Sequence, residues 1–136
     1  MIPNFRVAFK NNILGEVGSI DFVDETITIS VYGKVDGEYL GDSVLGLNQV
    51  TLMQSTGLLD KNGKEIFESD IVKTTRFFGR ADESGGFYEY EKEFIGIVKQ
   101  LEGAWVIDTE KGAVYLWSDI DENEVVGNVF EHIHLL

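Results

Sequence analysis

Glycine recurs along this chain too often for a long helix to persist. Fifteen glycines stand against a single proline in 136 residues, with nine phenylalanines spread among them. A glycine inside a helix costs about 1 kcal/mol relative to alanine, so Gly33, Gly37, Gly41 and Gly46 argue against a helix through that stretch. Between the glycines, apolar residues follow the two-residue period of strands. In Thr26-Ile-Thr-Ile-Ser-Val-Tyr32, Ile27, Ile29 and Val31 fall on one face, Thr28 and Ser30 on the other. Each of those three contributes about 1.5–3 kcal/mol once buried. Phe5, Val7 and Phe9 alternate likewise and predict a strand over 4–10. Residues 17–22 predict a partner strand, with the chain turning at Asp24-Glu25. A short helical turn is predicted over 43–47, with Ser43 as its cap, then a strand through Val50, Leu52 and Gln54.

From residue 70 the pattern is β again. Ile71-Val72 and Phe77-Phe78 bracket Lys73-Thr-Thr-Arg76, and the run ends at Gly79. Alternation sends Phe77 and Phe78 to opposite faces, so at least one is expected in the core. Asp82-Glu-Ser-Gly-Gly86 marks a tethering loop within 80–90. Phe94-Ile-Gly-Ile-Val98 predicts a strand, with Gly96 at a bulge or a close backbone approach. Leu101-Glu-Gly103 is a turn. Ala104-Trp-Val-Ile107 and Ala113-Val-Tyr-Leu-Trp117 are expected to pair as a hairpin around a longer loop at 108–112, and 124–130 form the last strand. Five short strands with glycine corners are the makings of a small closed barrel.

Size and charge narrow the functions. A chain of 136 residues, 43% of them hydrophobic, is long enough for its own core. It has no cysteine, which excludes disulfides and thiolate metal sites. The first six residues lack the pattern of a signal peptide, and no apolar run approaches the roughly 20 residues that span a bilayer. A cytoplasmic protein without membrane contact is expected. The net charge of −13 is uneven: residues 81–136 hold 3 basic and 13 acidic groups, whereas residues 51–80 hold 5 basic and 4 acidic. Such a C-terminal third attracts basic partners and repels nucleic-acid phosphate, over about 10 Å at ordinary salt. Direct DNA binding by a broad basic face is disfavoured.

The most specific stretch is Gly57-Leu-Leu-Asp-Lys-Asn-Gly-Lys-Glu-Ile-Phe-Glu-Ser-Asp-Ile-Val-Lys73. Asn62-Gly63 suits a turn with positive φ. Leu58 with Ile66 or Phe67 can plug the space beneath it. Glu68 and Asp70 are placed to accept hydrogen bonds from the backbone turning into the next strand. Asn62, Gly63, Glu68 and Asp70 are therefore read as a structural staple between two halves of the chain.

This block, with Met53-Gln-Ser-Thr56 before it, resembles the central motif of the YopX family of phage and prophage proteins. Phe5-Arg6 with Gly18-Ser-Ile-Asp-Phe22 resembles the family's opening, and Val125-Val-Gly-Asn-Val-Phe-Glu131 with Leu135-Leu136 its ending. Ser69 stands where the family usually has glycine, so no requirement for positive φ is read there. His132-Ile-His134 replaces the usual approach to the terminal leucines. The resemblance implies a mainly β protein: an N-terminal β-rich subdomain over 1–56 and an SH3-like barrel part over 57–136. It further implies a phage or prophage origin and expression in the host cytoplasm. It implies no activity, and no catalytic or cofactor-binding residue is carried over from it.

Few groups point to chemistry. His132 and His134 would share one face of a strand and are the candidate metal ligands, with Glu131 or Asp119 as a carboxylate partner. Asp119-Ile-Asp-Glu-Asn-Glu124 lacks the glycine and spacing of a calcium loop. No P-loop, nucleophile elbow, dinucleotide fingerprint or HExxH is present. Lys73, Arg76 and Arg80 around Phe77-Phe78 form a basic–aromatic pattern suited to single-stranded nucleic acid. Trp105, Tyr115 and Trp117 are candidate partner-binding aromatics, though such residues also build barrel cores. The leading expectation is an acidic, non-enzymatic module without cofactor that binds a host or phage protein, itself basic. A metal-dependent hydrolase and a nucleic-acid binder through 73–80 are the alternatives. Strand edges leave self-association open.

Overall fold

Alternation decides the first half of the molecule. In the structure, a computed structural model describing residues 4–32, 36–116 and 122–136, six strands form one antiparallel sheet: β1 (Phe5–Phe9), β2 (Asn12–Asp21), β3 (Thr26–Tyr32), β4 (Tyr39–Gly46), β5 (Thr51–Leu59) and β6 (Glu65–Phe67). Their order is β4-β3-β2-β1-β5-β6. Ile27 and Ile29 point inward as their spacing predicts and are fully buried with Val7. Leu14, Val17, Ile20, Leu45, Leu47 and Val50 close over them. The helical turn expected at 43–47 is strand as far as Gly46. Ser43 and Leu45 pair with Ile29 and Ile27, and that ladder outweighs a local cap. A 3₁₀ turn follows at Leu47–Gln49, where the Gln49 side chain accepts from the Gly46 N–H at 3.0 Å.

The second half is a five-stranded antiparallel sheet in the order β10-β9-β8-β7-β11. It comprises β7 (Asp70–Ala81), β8 (Phe87–Leu101), β9 (Ala104–Thr109), β10 (Gly112–Tyr115) and β11 (Glu122–Asn128). The longer loop expected at 108–112 shrinks to the two residues between β9 and β10. Val72, Val98, Ile107 and Leu116 form the core on its inner face, and Ile66 of β6 is buried among them. The β5–β6 hairpin thus reaches from the first sheet over the second, and β5 runs without a break across residue 56. Gly96 is required at the joint of β8 and β9: a Cβ there would stand 2.4 Å from the Asp108 carbonyl oxygen.

The mainly β architecture is observed, with no α-helix among the described residues. The closed barrel is not. Among the described residues β10 and β11 do not pair, so the second sheet stays open. It curls enough for the Arg76 guanidinium on β7 to donate to the Tyr115 carbonyl on β10 at 2.7 Å.

One part of this sheet leaves the body. Among the described residues, β11 pairs with β7 only as far as Thr75, and β9 pairs with β8 only from Ile97 onward. Beyond those points β7 and β8 continue together as a two-stranded ribbon, Ala81 opposite Phe87 at its tip. At about 3.4 Å per residue the ribbon projects about 20 Å. Here the sequence reading fails. Phe77 and Phe78 do point to opposite faces, but neither is core; they are 55% and 39% exposed, because among the described residues no third strand pairs beside them.

Candidate functional site

The central motif ties the two sheets together. The Asp70 carboxylate, 1% exposed, accepts from Arg6 Nη2 of β1 at 2.6 Å and from the Phe67 N–H at 2.8 Å. Arg6 also donates to the Glu68 carbonyl at 3.3 Å and lies over the Phe67 ring. Burial pushes the Asp70 carboxyl above its ordinary range, although Arg6 and the Phe67 N–H pull the other way. The Glu68 carboxylate lies 3.4 Å from the Gln54 N–H. Ser69 adopts φ +70° even though it carries the Cβ that glycine lacks, its N–H on the Val98 carbonyl and its carbonyl on the Val129 N–H.

Asn62-Gly63 forms the turn its sequence predicts, with Gly63 at φ +81°. The residue that organises it, Asp60, was not singled out by sequence reasoning. One Asp60 oxygen accepts from the N–H groups of Asn62 and Lys64, both at 2.9 Å, and the other from Val125 at 3.0 Å. Burial raises its pKa, but the Val125, Lys64 and Asn62 donors outweigh that and hold it below the ordinary value. An aspartate two residues before Asn-Gly was the available signal.

The histidines do not lie on a strand. His132 precedes a 3₁₀ turn at Ile133–Leu135 that contains His134. His132 Nδ1 accepts from the Asn128 N–H at 3.2 Å, and Glu131 accepts from the Asn128 side chain at 3.1 Å. Asp119 lies outside the described residues. Among the described residues, no group of three or more His, Asp or Glu side chains is arranged to hold a metal ion.

The two candidate aromatics among the described residues, Trp105 and Tyr115, are not brought together. Trp105 packs on the inner core with Ile107. Tyr115 is 60% exposed and opposes Val106, so alternation puts it on the other face from Trp105. Trp117 lies outside the described residues. The basic segment is also divided. Lys73 pairs with Glu93 at 3.4 Å. Arg76 is 4% exposed, its Nε donating to Thr74 Oγ1 at 3.1 Å. Of the three cations, Arg80 alone stands on the projecting part of the ribbon in exposed surroundings.

What the ribbon assembles instead is a sorted surface. Register and alternation place Phe78, Arg80, Tyr88, Tyr90 and Lys92 on its inner face. Phe78 stacks on Tyr90 at 5.5 Å, and Tyr88 leans on Tyr90 at 6.0 Å. The outer face carries Glu89, Glu91 and Glu93 in a row, flanked by Phe77 and Phe87. Glu122 and Glu124 of β11 join them across β7, with Lys61 and Lys73 between. The tip is shaped by Asp82, which accepts from Ser84 Oγ and from the N–H groups of Gly86 and Ser84. Those hydrogen bonds hold its carboxyl below the ordinary range.

The fold and this surface define a two-sheet β protein with a projecting, charge-sorted hairpin. The chain belongs to the YopX family, whose model, "YopX protein", matches residues 5–136. A comparison with curated proteins finds no match. Among solved structures, the chain is similar to the crystal structure of protein EF1440 from Enterococcus faecalis, with 23% identity and a TM-score of 0.51. That likeness covers 100% of this chain and 99% of that one, and at such identity it is a likeness of fold. No helix among the described residues is long and apolar enough to cross a membrane.

Proposed function

We propose that this YopX-family protein is a non-catalytic accessory module, of phage or prophage origin, that binds a basic protein in the bacterial cytoplasm. In this reading residues 57–136 act as an SH3-like binding part, buttressed by the β-rich residues 1–56. The observation that carries it is the row Glu89, Glu91 and Glu93 on the outer face of the β7–β8 ribbon, extended by Glu122 and Glu124. Carboxylates gathered on one projecting element steer a basic partner and set its orientation. The exposed Phe77 and Phe87 beside them supply apolar contact area. The test is capture of partners from a bacterial lysate by the wild type and by a Glu89→Lys/Glu91→Lys/Glu93→Lys variant. The reading expects a bound protein that moderate salt releases and that the variant fails to retain. Equal capture by both proteins, or none by the wild type, would contradict it.

A second reading rests on the inner face, where Phe78, Tyr88 and Tyr90 lie between Arg80 and Lys92. Stacked rings flanked by cations suit single-stranded nucleic acid. An oligothymidine gel shift, abolished by Tyr90→Ala and Arg80→Glu, is its expected result; no shift removes it.

A further inference from the structure

Part of the side of β8 that faces away from β7 is, among the described residues, an open strand edge. β9 covers β8 from Ile97 to Leu101, and then the chain turns back into β10. Phe87–Gly96 has no partner on that side among the described residues. The hydrogen-bonding phase of the edge follows from the tip. Asp82 N–H donates to the Gly86 carbonyl, which makes that even-numbered pair a hydrogen-bonded one. Alternation then turns the backbone groups of Tyr88, Tyr90 and Lys92 toward β7, and those of Phe87, Glu89, Glu91, Glu93 and Ile95 outward. The three glutamates of the outer face therefore also carry unpaired edge groups.

We propose that this edge takes up an extended peptide as an added strand, antiparallel to β8 and collinear with β9, in which basic residues alternate with apolar ones. The proposal rests on the protein-binding reading and names the partner's chemistry. A residue opposite Glu89, Glu91 or Glu93 sits in a hydrogen-bonded pair with its side chain on the same face, where Lys or Arg meets a carboxylate. The intervening residues fall on the inner face beside Tyr88, Tyr90, Lys92 and Phe94, where an apolar side chain packs on the rings and a second cation would meet the lysine. At the foot of the edge, Ile95, Ile97, Thr109 and Leu136 line a groove of about 490 Å³ that receives the strand's end. A second copy of this chain is the wrong occupant. Two β8 edges paired antiparallel about a twofold axis put odd residues opposite odd ones, so glutamate meets glutamate.

The probe is a fluorescein-labelled nine-residue peptide of alternating lysine and valine, titrated into the full-length protein by anisotropy. N-methylation of its lysine amides removes the donors aimed at β8, while N-methylation of its valine amides does not. The lysine-methylated peptide is expected to bind about tenfold more weakly or worse, and the valine-methylated one like the parent. On the protein side, Glu91→Pro deletes an outward N–H without touching the β7 ladder and carries the same tenfold loss, with unfolding monitored in parallel. If the lysine-methylated peptide binds as well as the parent, charge alone holds it: strand addition is overturned, while the protein-binding reading stands. No binding of the parent peptide also overturns strand addition, and the lysate capture decides the broader reading separately. A dimer by sedimentation with Glu89, Glu91 and Glu93 amides protected would give the edge to a second copy and overturn the proposal as well.

Discussion

Asp70 and Arg6 are the residues on which the union of the two sheets turns. Removing one member of a buried ion pair leaves the other charged and uncompensated. Asp70→Ala is expected to destabilise the protein by about 3–5 kcal/mol in urea unfolding. Ser69, next to it, carries the opposite expectation. A side chain held at φ +70° is strained by about 1 kcal/mol, part of which glycine's unfolded-state entropy takes back. Ser69→Gly should therefore stabilise by about 0.5 kcal/mol in the same measurement. Asp60 sets a pH dependence. Its folded pKa lies below the unfolded one, so its stabilisation is complete above the ordinary carboxylate range and is lost as pH falls through the lower, folded value. Asp60→Asn should cost about 2 kcal/mol at neutral pH and flatten the acid limb of stability against pH.

At the scale of elements, the joint between β8 and β9 and the ribbon beyond it obey different rules. Gly96→Ala pushes a methyl into the Asp108 carbonyl, which is backbone and cannot swing away. A loss of about 1–3 kcal/mol in thermal or denaturant unfolding is expected. The strands with one buried face were legible: Ile27, Ile29 and Val7 announce themselves because burial on one side and water on the other imprint alternation. The ribbon was not, because both of its faces are wet. Tyr88-Glu-Tyr-Glu-Lys-Glu93 does alternate, aromatic or basic against acidic, but an apolar-versus-polar reading passes over it and takes residues up to 90 for a tethering loop. The same blindness misplaced Phe77 and Phe78, whose pattern is that of core and whose setting is an arm. Arg76 shows the reverse: a cation that reads as a surface contact is buried by the curl of the sheet, with its guanidinium on a carbonyl of β10.

At the scale of the whole molecule, two sheets joined by the Arg6–Asp70 pair and the β5–β6 hairpin form a body, from which one ribbon extends with an acidic face and an edge that has no partner among the described residues. The family could be read from the central motif, and the model matching residues 5–136 establishes it. The proposed binding surface could not be read there, since it depends on where β9 and β11 stop pairing. The most direct test is native-state amide exchange of the unliganded protein, read residue by residue by NMR. The amides of Tyr88, Tyr90 and Lys92, turned toward β7, should exchange slowly. Those of Glu89, Glu91 and Glu93, turned to solvent, should exchange near the unprotected rate. Equal protection of the two sets would mean that the edge is already covered, and equal lability would mean that no ribbon forms; either result contradicts the account.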